Sequence, residues 1–65
     1  METSFYSKAD LDRIAKQAVK DYNRMTKRVG KLAYWLVMAN TEGMKLQVTI
    51  NHEDGTAQTA WHVAI

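Results

Sequence analysis

The spacing of the apolar residues changes near Gly30, and this change divides the chain into two parts with different secondary structure. Before Gly30 the apolar residues recur every three or four positions, which predicts an amphipathic helix over about residues 8–29. They are Leu11, Ile14, Ala15, Ala18, Tyr22, Met25 and Val29. After Gly30 the period becomes two, which is typical of half-buried strands. It is clearest where Met44, Leu46, Val48 and Ile50 alternate with Lys45, Gln47, Thr49 and Asn51.

Residues that cap helices stand at both ends of the predicted helix. Ser7 precedes it and Asp10 follows three positions later, which is the spacing of a capping box. Gly30 follows Val29, and glycine readily takes the left-handed conformation that ends many helices. An alternative extends the helix through Gly30 to Ala39. The aromatic and β-branched residues of that segment favour a strand instead.

The rest of the chain predicts strands over about residues 31–40, 44–53 and 56–65, joined as an antiparallel meander. The second hairpin is the better defined, because Asp54-Gly55 suits a two-residue type I′ turn. That turn pairs apolar residues with one another: Val48 with Trp61, Leu46 with Val63, and Met44 with Ile65. The predicted fold is a single α+β domain in which one long N-terminal helix packs on a three-stranded sheet, in the order α-β-β-β.

The first strand is apolar on both faces, so two registers of the first hairpin are open. Asn40-Thr41-Glu42-Gly43 suits a type I turn followed by a glycine bulge, and we expect the resulting three-residue loop. With this loop, the residues on the core face are Leu32, Tyr34, Leu36 and Met38. The residues on the opposite face are Ala33, Trp35, Val37 and Ala39. A loop with an even number of residues would exchange the two sets.

Positive charge is concentrated on the helix. Residues 16–31 contain six cations and one acid, Asp21, whereas residues 32–65 contain one cation and three acids. The helical rotation directs the cations away from the apolar stripe, which is typical of contact with nucleic acid or an acidic protein surface. The same pattern also fits a solvated face with cations placed to suit the helix dipole. The predicted partner-binding residues are Arg13, Lys16, Lys20, Arg24, Lys27, Arg28 and Lys31.

The expected register leaves a second apolar sheet face that one helix cannot cover. Large exposed apolar patches often mark interfaces, and tryptophan is a frequent anchor of such interfaces. We therefore expect a homodimer or partner interface formed by Trp35, Val37, Gln47, Thr49 and His62. In the alternative, Phe5 and Tyr6 fold over this face, or the other register applies.

Composition argues against several classes of function. The 65-residue chain has no cysteine, and no glycine-rich phosphate loop or catalytic signature stands in it. We therefore expect no enzyme and no cofactor, although a histidine-based nuclease using His62 stays conceivable. In the expected register His52 and His62 lie on opposite faces, which argues against a shared metal site. A membrane-surface role is disfavoured because the sheet needs the apolar face of the helix.

These observations lead to one functional hypothesis and one alternative. The hypothesis is a small cytoplasmic binding protein, a homodimer, that presents a basic helix to nucleic acid or to nucleic-acid-binding machinery. The alternative is a regulator or inhibitor of the kind found in phages and mobile elements, which binds a host protein complex by protein–protein contacts. The basic helix face motivates the hypothesis, whereas size and composition motivate the alternative. Dimer formation is expected because a chain this short has a thin core and gains stability from a second subunit.

Overall fold

A computed structural model describes residues 6–41 and 43–65 of the chain. One helix, α1 (Lys8–Thr26), packs on a sheet formed by β1 (Gly30–Asn40), β2 (Gly43–His52) and β3 (Thr59–Ala64). The strands are antiparallel and β2 lies in the centre. This arrangement confirms the predicted α-β-β-β fold. In the described part of the chain, no helix combines the length and the apolar composition needed to cross a membrane.

The start of α1 forms the predicted capping box. The Ser7 hydroxyl accepts a hydrogen bond from the backbone N–H of Asp10 at 3.1 Å. The Ser7 backbone N–H in turn donates to the Asp10 carboxylate at 3.4 Å. Two backbone donors that the first helical turn leaves free are thereby satisfied.

The end of α1 differs from the prediction, because the helix stops at Thr26 and Lys27 takes the left-handed conformation, with φ of 59°. Gly30, which was expected to do this, is instead the first residue of β1. The Asn23 side chain accounts for the early stop, since it accepts from the backbone N–H of Gly30 at 2.8 Å and donates to its carbonyl at 3.0 Å. This clamp turns the chain from helix to strand. The alternative of a helix reaching Ala39 is wrong for the same reason.

The second hairpin has the predicted register but a different turn. Val48 lies opposite Trp61 and Leu46 opposite Val63, as expected. A type I′ turn needs positive φ at both central residues, yet only Gly55 has it. The turn instead closes where Gly55 N–H donates to the His52 carbonyl at 3.1 Å. Strand β2 consequently ends at His52, and strand β3 begins at Thr59.

The first hairpin has the register that was not expected. Asn40 pairs with Gly43, so the loop has two residues, and Trp35 lies opposite Val48 on the core face. A bulge at Ala33 then shifts the pairing and returns Leu32 to the core side, opposite Ile50. The side chains turned outward are Tyr34, Leu36 and Met38. The expected three-residue loop, and the outward orientation of Trp35 and Val37 that followed from it, are therefore wrong.

The core lies between α1 and the central strand. Three β2 side chains, Leu46, Val48 and Ile50, are fully buried. The helix contributes Leu11, Ala15, Ala18, Val19 and Tyr22. Small residues at positions 15 and 18 let the helix approach the sheet closely. Met25 and Val29, which the helical pattern assigned to the apolar face, are exposed because the helix ends and the chain leaves the core.

Candidate binding surfaces

All seven predicted partner-binding cations lie on the surface. The five that belong to α1 or its cap come from helical positions opposite the buried stripe, so the sheet does not cover them. The other two, Arg28 and Lys31, lie in the connection to β1 and at its start. The seven cations differ in whether a carboxylate of the same chain forms an ion pair with them.

Three of the seven cations form ion pairs within the helix. Arg13 pairs with Asp10 at 2.9 Å and Lys16 with Asp12 at 3.0 Å. Arg24 pairs with Asp21 at 2.8 Å. Each pair joins residues three or four positions apart, which is the spacing that brings side chains together on a helix. These cations are partly neutralised before any partner arrives.

The pKa values of the Asp10 and Asp12 carboxyl groups are lowered. Hydrogen bonds from the Ser7 side chain and backbone, with a smaller contribution from Arg13, hold the pKa of Asp10 below its ordinary value of 3.8. A hydrogen bond from Lys16, followed by one from the Trp35 indole, lowers the pKa of Asp12 from the same value. Both carboxylates are therefore ionised at neutral pH and keep their cationic neighbours engaged.

The remaining four cations form what we call the C-terminal basic surface: Lys20, Lys27, Arg28 and Lys31. Among residues 6–41 and 43–65, no carboxylate lies within ion-pairing distance of any of them. Arg28 is near enough to Asp54 to help lower the pKa of that carboxyl group, although a backbone hydrogen bond from Thr56 is the larger cause. Positive charge here also suits the C-terminal end of the helix dipole.

The structure does not bring together the five residues predicted as an interface. Trp35 is on the core side, where its indole N–H donates to the Asp12 carboxylate at 3.2 Å. Gln47, Thr49 and His62 belong to the other face, where Gln47 Nε2 lies 3.4 Å from His62 Nε2. Thr49 is buried there between neighbouring strands. Val37 is on the side of Trp35 but 40% exposed.

The apolar surface that the sheet does expose has different members. The outer apolar strip consists of Tyr34, Leu36 and Met38, which are 50%, 51% and 46% exposed. All three lie along β1, on the face away from α1. Sequence reasoning assigned them to the core, and only the even-loop alternative would have found them. The other alternative, coverage by Phe5 and Tyr6, involves residue 5, which lies outside the described residues.

The two histidines occupy the opposite faces that the sequence indicated. His52 is buried, and its Nε2 lies 3.3 Å from the Tyr22 hydroxyl and 3.1 Å from the Thr59 hydroxyl. These contacts join the helix to the last two strands. In the part of the chain that the structure describes, no group of three or more His, Cys, Asp or Glu residues could hold a metal ion.

The chain matches no protein family, no curated protein and no solved structure. The surfaces themselves are therefore the basis for inferring a function. They define a small α+β domain with an apolar strip on the outer face of its sheet. Four exposed cations from Lys20 to Lys31 have no ion-pair partner among the described residues.

Proposed function

We propose that this protein is a non-enzymatic binding protein that contacts a polyanion, nucleic acid in the first place, through the C-terminal basic surface. The observation that carries the proposal is the division of the seven predicted partner-binding cations into two groups. Arg13, Lys16 and Arg24 are paired with carboxylates three or four residues away. Lys20, Lys27, Arg28 and Lys31 are exposed and have no such partner among the described residues.

This division narrows the proposed contact from the whole helix to its C-terminal half and the connection to β1. An exposed ion pair is worth only about 0–1 kcal/mol, so the paired cations are not locked away. Their charge is nevertheless offset by the adjacent carboxylates, which also repel phosphate. Unpaired lysines can release counterions from a phosphate backbone without first losing a partner.

Direct binding measurements with a pair of matched variants test the proposal. Lys20→Gln/Lys27→Gln and Arg13→Gln/Lys16→Gln each remove two exposed cations from α1 or its C-terminal cap, so their net charges are equal. We expect the first variant to weaken binding to labelled duplex DNA or single-stranded RNA strongly and the second to weaken it much less. Fluorescence anisotropy measures the affinities, and circular dichroism checks that both variants are folded.

The salt dependence supplies a second criterion. If about four phosphates are contacted, log affinity against log salt has a slope of about −3 to −4. Equal losses in the two double variants would contradict the assignment of the C-terminal basic surface. No binding of either nucleic acid at low salt would rule out the nucleic-acid proposal altogether.

The outer apolar strip favours a second function, regulation of another protein through protein–protein contacts. Tyr34, Leu36 and Met38 offer a contiguous apolar surface that no described part of the chain covers. A nuclease-resistant complex with a purified acidic protein that is lost in Leu36→Ser and kept in Lys20→Gln/Lys27→Gln supports this function. The reverse pattern supports contact through the basic surface instead.

A further inference from the structure

Strand β1 forms one edge of the sheet, so one side of its backbone has no neighbouring strand in the described structure. It is eleven residues long, and the segment Leu32–Ala39 contains neither a charged residue nor a proline. Natural edge strands usually carry lysine, proline or inward-pointing charges that prevent pairing with other chains. β1 has a bulge at Ala33 but lacks this protection from Tyr34 onward.

The hydrogen bonds of β2 show which groups of β1 face the free edge. The Met44 carbonyl accepts from Ile65 N–H at 3.3 Å, so the backbone of Met44 is directed to the β3 side. Along a strand, the backbone N–H and C=O groups of successive residues point alternately to one side and to the other. Two residues directly opposite each other in an antiparallel pair either both point these groups toward each other or both point them away. The partners of Met44, Leu46 and Val48 therefore direct their N–H and C=O groups to the free edge. These partners are Ala39, Val37 and Trp35.

The side chains and charges of this edge are compatible with a second copy of the same strand. Lys31 is the only charged residue of β1, and it lies at the start of the strand. Antiparallel self-pairing about a two-fold axis near Val37 keeps the two Lys31 residues at opposite ends. The groove between α1 and the start of β1 is lined by one charge of each sign, Lys8 and Asp12.

We infer that a second copy of this chain pairs with β1, edge to edge and antiparallel, over about Tyr34–Asn40. The two-fold axis is perpendicular to the sheet, so each face of one copy continues into the same face of the other. The product is a six-stranded sheet with both helices on one face. On the other face the two outer apolar strips become neighbours and shield part of each other from water. The interface is self-complementary, as a closed dimer requires.

Solution mass and amide exchange test this inference on the unmodified chain. Sedimentation equilibrium at tens of micromolar is expected to give twice the monomer mass of 7.4 kDa. Hydrogen exchange followed by NMR should show protected amides at Trp35, Val37 and Ala39, since in the dimer they donate across the new strand pair. A monomeric mass, or rapid exchange of these three amides in a chain whose β2 amides are protected, overturns the inference.

Proline substitutions separate the edge contact from the fold. Val37→Pro removes an N–H that faces the free edge, so the sheet within each copy should survive while the dimer is lost. Ala60→Pro is the matched control, because Ala60 lies opposite Thr49 and faces the free edge of β3. It should leave the dimer intact. A folded Val37→Pro chain that is still a dimer, or an Ala60→Pro chain that is a folded monomer, would place the interface elsewhere.

The same experiments are independent of polyanion binding. The proposed contact, Tyr34–Asn40, contains no residue of the C-terminal basic surface. Loss of the dimer and loss of nucleic-acid binding can therefore be measured separately. If Val37→Pro is monomeric and still binds nucleic acid through Lys20 and Lys27, the dimer inference holds and each subunit binds on its own. If the wild type is dimeric but binds no nucleic acid, only the proposed function fails.

Discussion

Tyr22 contacts the sheet with both its ring and its hydroxyl group. Its ring meets Trp61 edge-on, with centroids 5.4 Å apart and planes at 73°. Its hydroxyl lies 3.3 Å from His52 Nε2 and 3.5 Å from the Thr59 hydroxyl. A buried polar group costs free energy unless it is hydrogen-bonded, so these contacts allow a tyrosine and a histidine to lie at the helix–sheet boundary. His52 Nδ1, by contrast, is buried without a hydrogen-bond partner in the described structure.

Replacing Tyr22 with phenylalanine isolates the contribution of its hydroxyl group. We expect Tyr22→Phe to lower the free energy of unfolding by about 0.5–1.5 kcal/mol, because the ring contact stays while the hydrogen bonds to His52 and Thr59 are lost. Urea denaturation followed by circular dichroism measures the change. Tyr34→Phe is the matched control, since Tyr34 is half exposed on the outer face. Equal effects at the two positions would contradict the role assigned to the buried hydroxyl.

At the scale of elements, Gly30 fixes where the helix meets the sheet. A Cβ atom at this position would lie 2.5 Å from Ile50 Cγ2 and 3.1 Å from the Asn23 side-chain oxygen. The Gly30 backbone can therefore lie this close to the Ile50 side chain only because glycine has no side chain of its own. This is a different use of glycine from the left-handed helix end that the sequence suggested, because Lys27 supplies that conformation.

Gly30→Ala is expected to destabilise the domain by about 1–3 kcal/mol, the usual range for forcing an extra group into a packed core. The cause is tested by a double-mutant cycle with Ile50→Ala, which removes the clashing methyl group. The cost of Gly30→Ala should fall clearly in the Ile50→Ala background, as measured by urea denaturation of all four proteins. An unchanged cost would mean that backbone conformation, and not the contact with Ile50, determines the effect.

The elements that sequence reasoning predicted well are those specified by local chemistry. Ser7 and Asp10 form the capping box with atoms three residues apart, so their spacing in the sequence is sufficient. The β2–β3 register followed from strict alternation on β2, where a slip of one residue would expose Leu46 and Val48. The structure has the predicted register even though the expected type I′ turn did not form.

The elements that were mispredicted depend on contacts between distant residues. β1 is apolar on both faces, so its alternation could not decide between the two registers, and the contact between Trp35 and Asp12 is not encoded locally. The end of α1 depends on the clamp between Asn23 and Gly30. The register error had a consequence for the site, which is that the predicted interface combined residues of opposite faces.

At the scale of the whole molecule, charge is arranged along the length of the helix. Its N-terminal half carries the acids Asp10 and Asp12 together with their cationic partners and Lys8. The four cations of the C-terminal basic surface, which have no ion-pair partner among the described residues, follow from Lys20 onward. An elongated shape of 46 × 22 × 18 Å lets these regions act separately. In a β1-paired dimer, each subunit would carry one C-terminal basic surface, and two such surfaces on one partner bind more tightly than one.

Three carboxyl groups with lowered pKa values make the stability of the fold depend on pH in the acidic range. The pKa values of Asp10, Asp12 and Asp54 are all lowered from 3.8 in the folded protein. A depressed carboxyl pKa means that the unfolded chain binds protons more readily than the folded one. The stabilising contribution is therefore complete above the pKa of the unfolded chain and is lost as the pH falls through the lowered pKa values of the folded protein.

We expect the urea midpoint to fall between about pH 5 and pH 2. In Asp12→Asn, which cannot titrate at this position but keeps an acceptor for the Trp35 indole, the fall should be shallower. A wild type and variant with the same pH profile would show that Asp12 and its ion pair with Lys16 do not contribute to it.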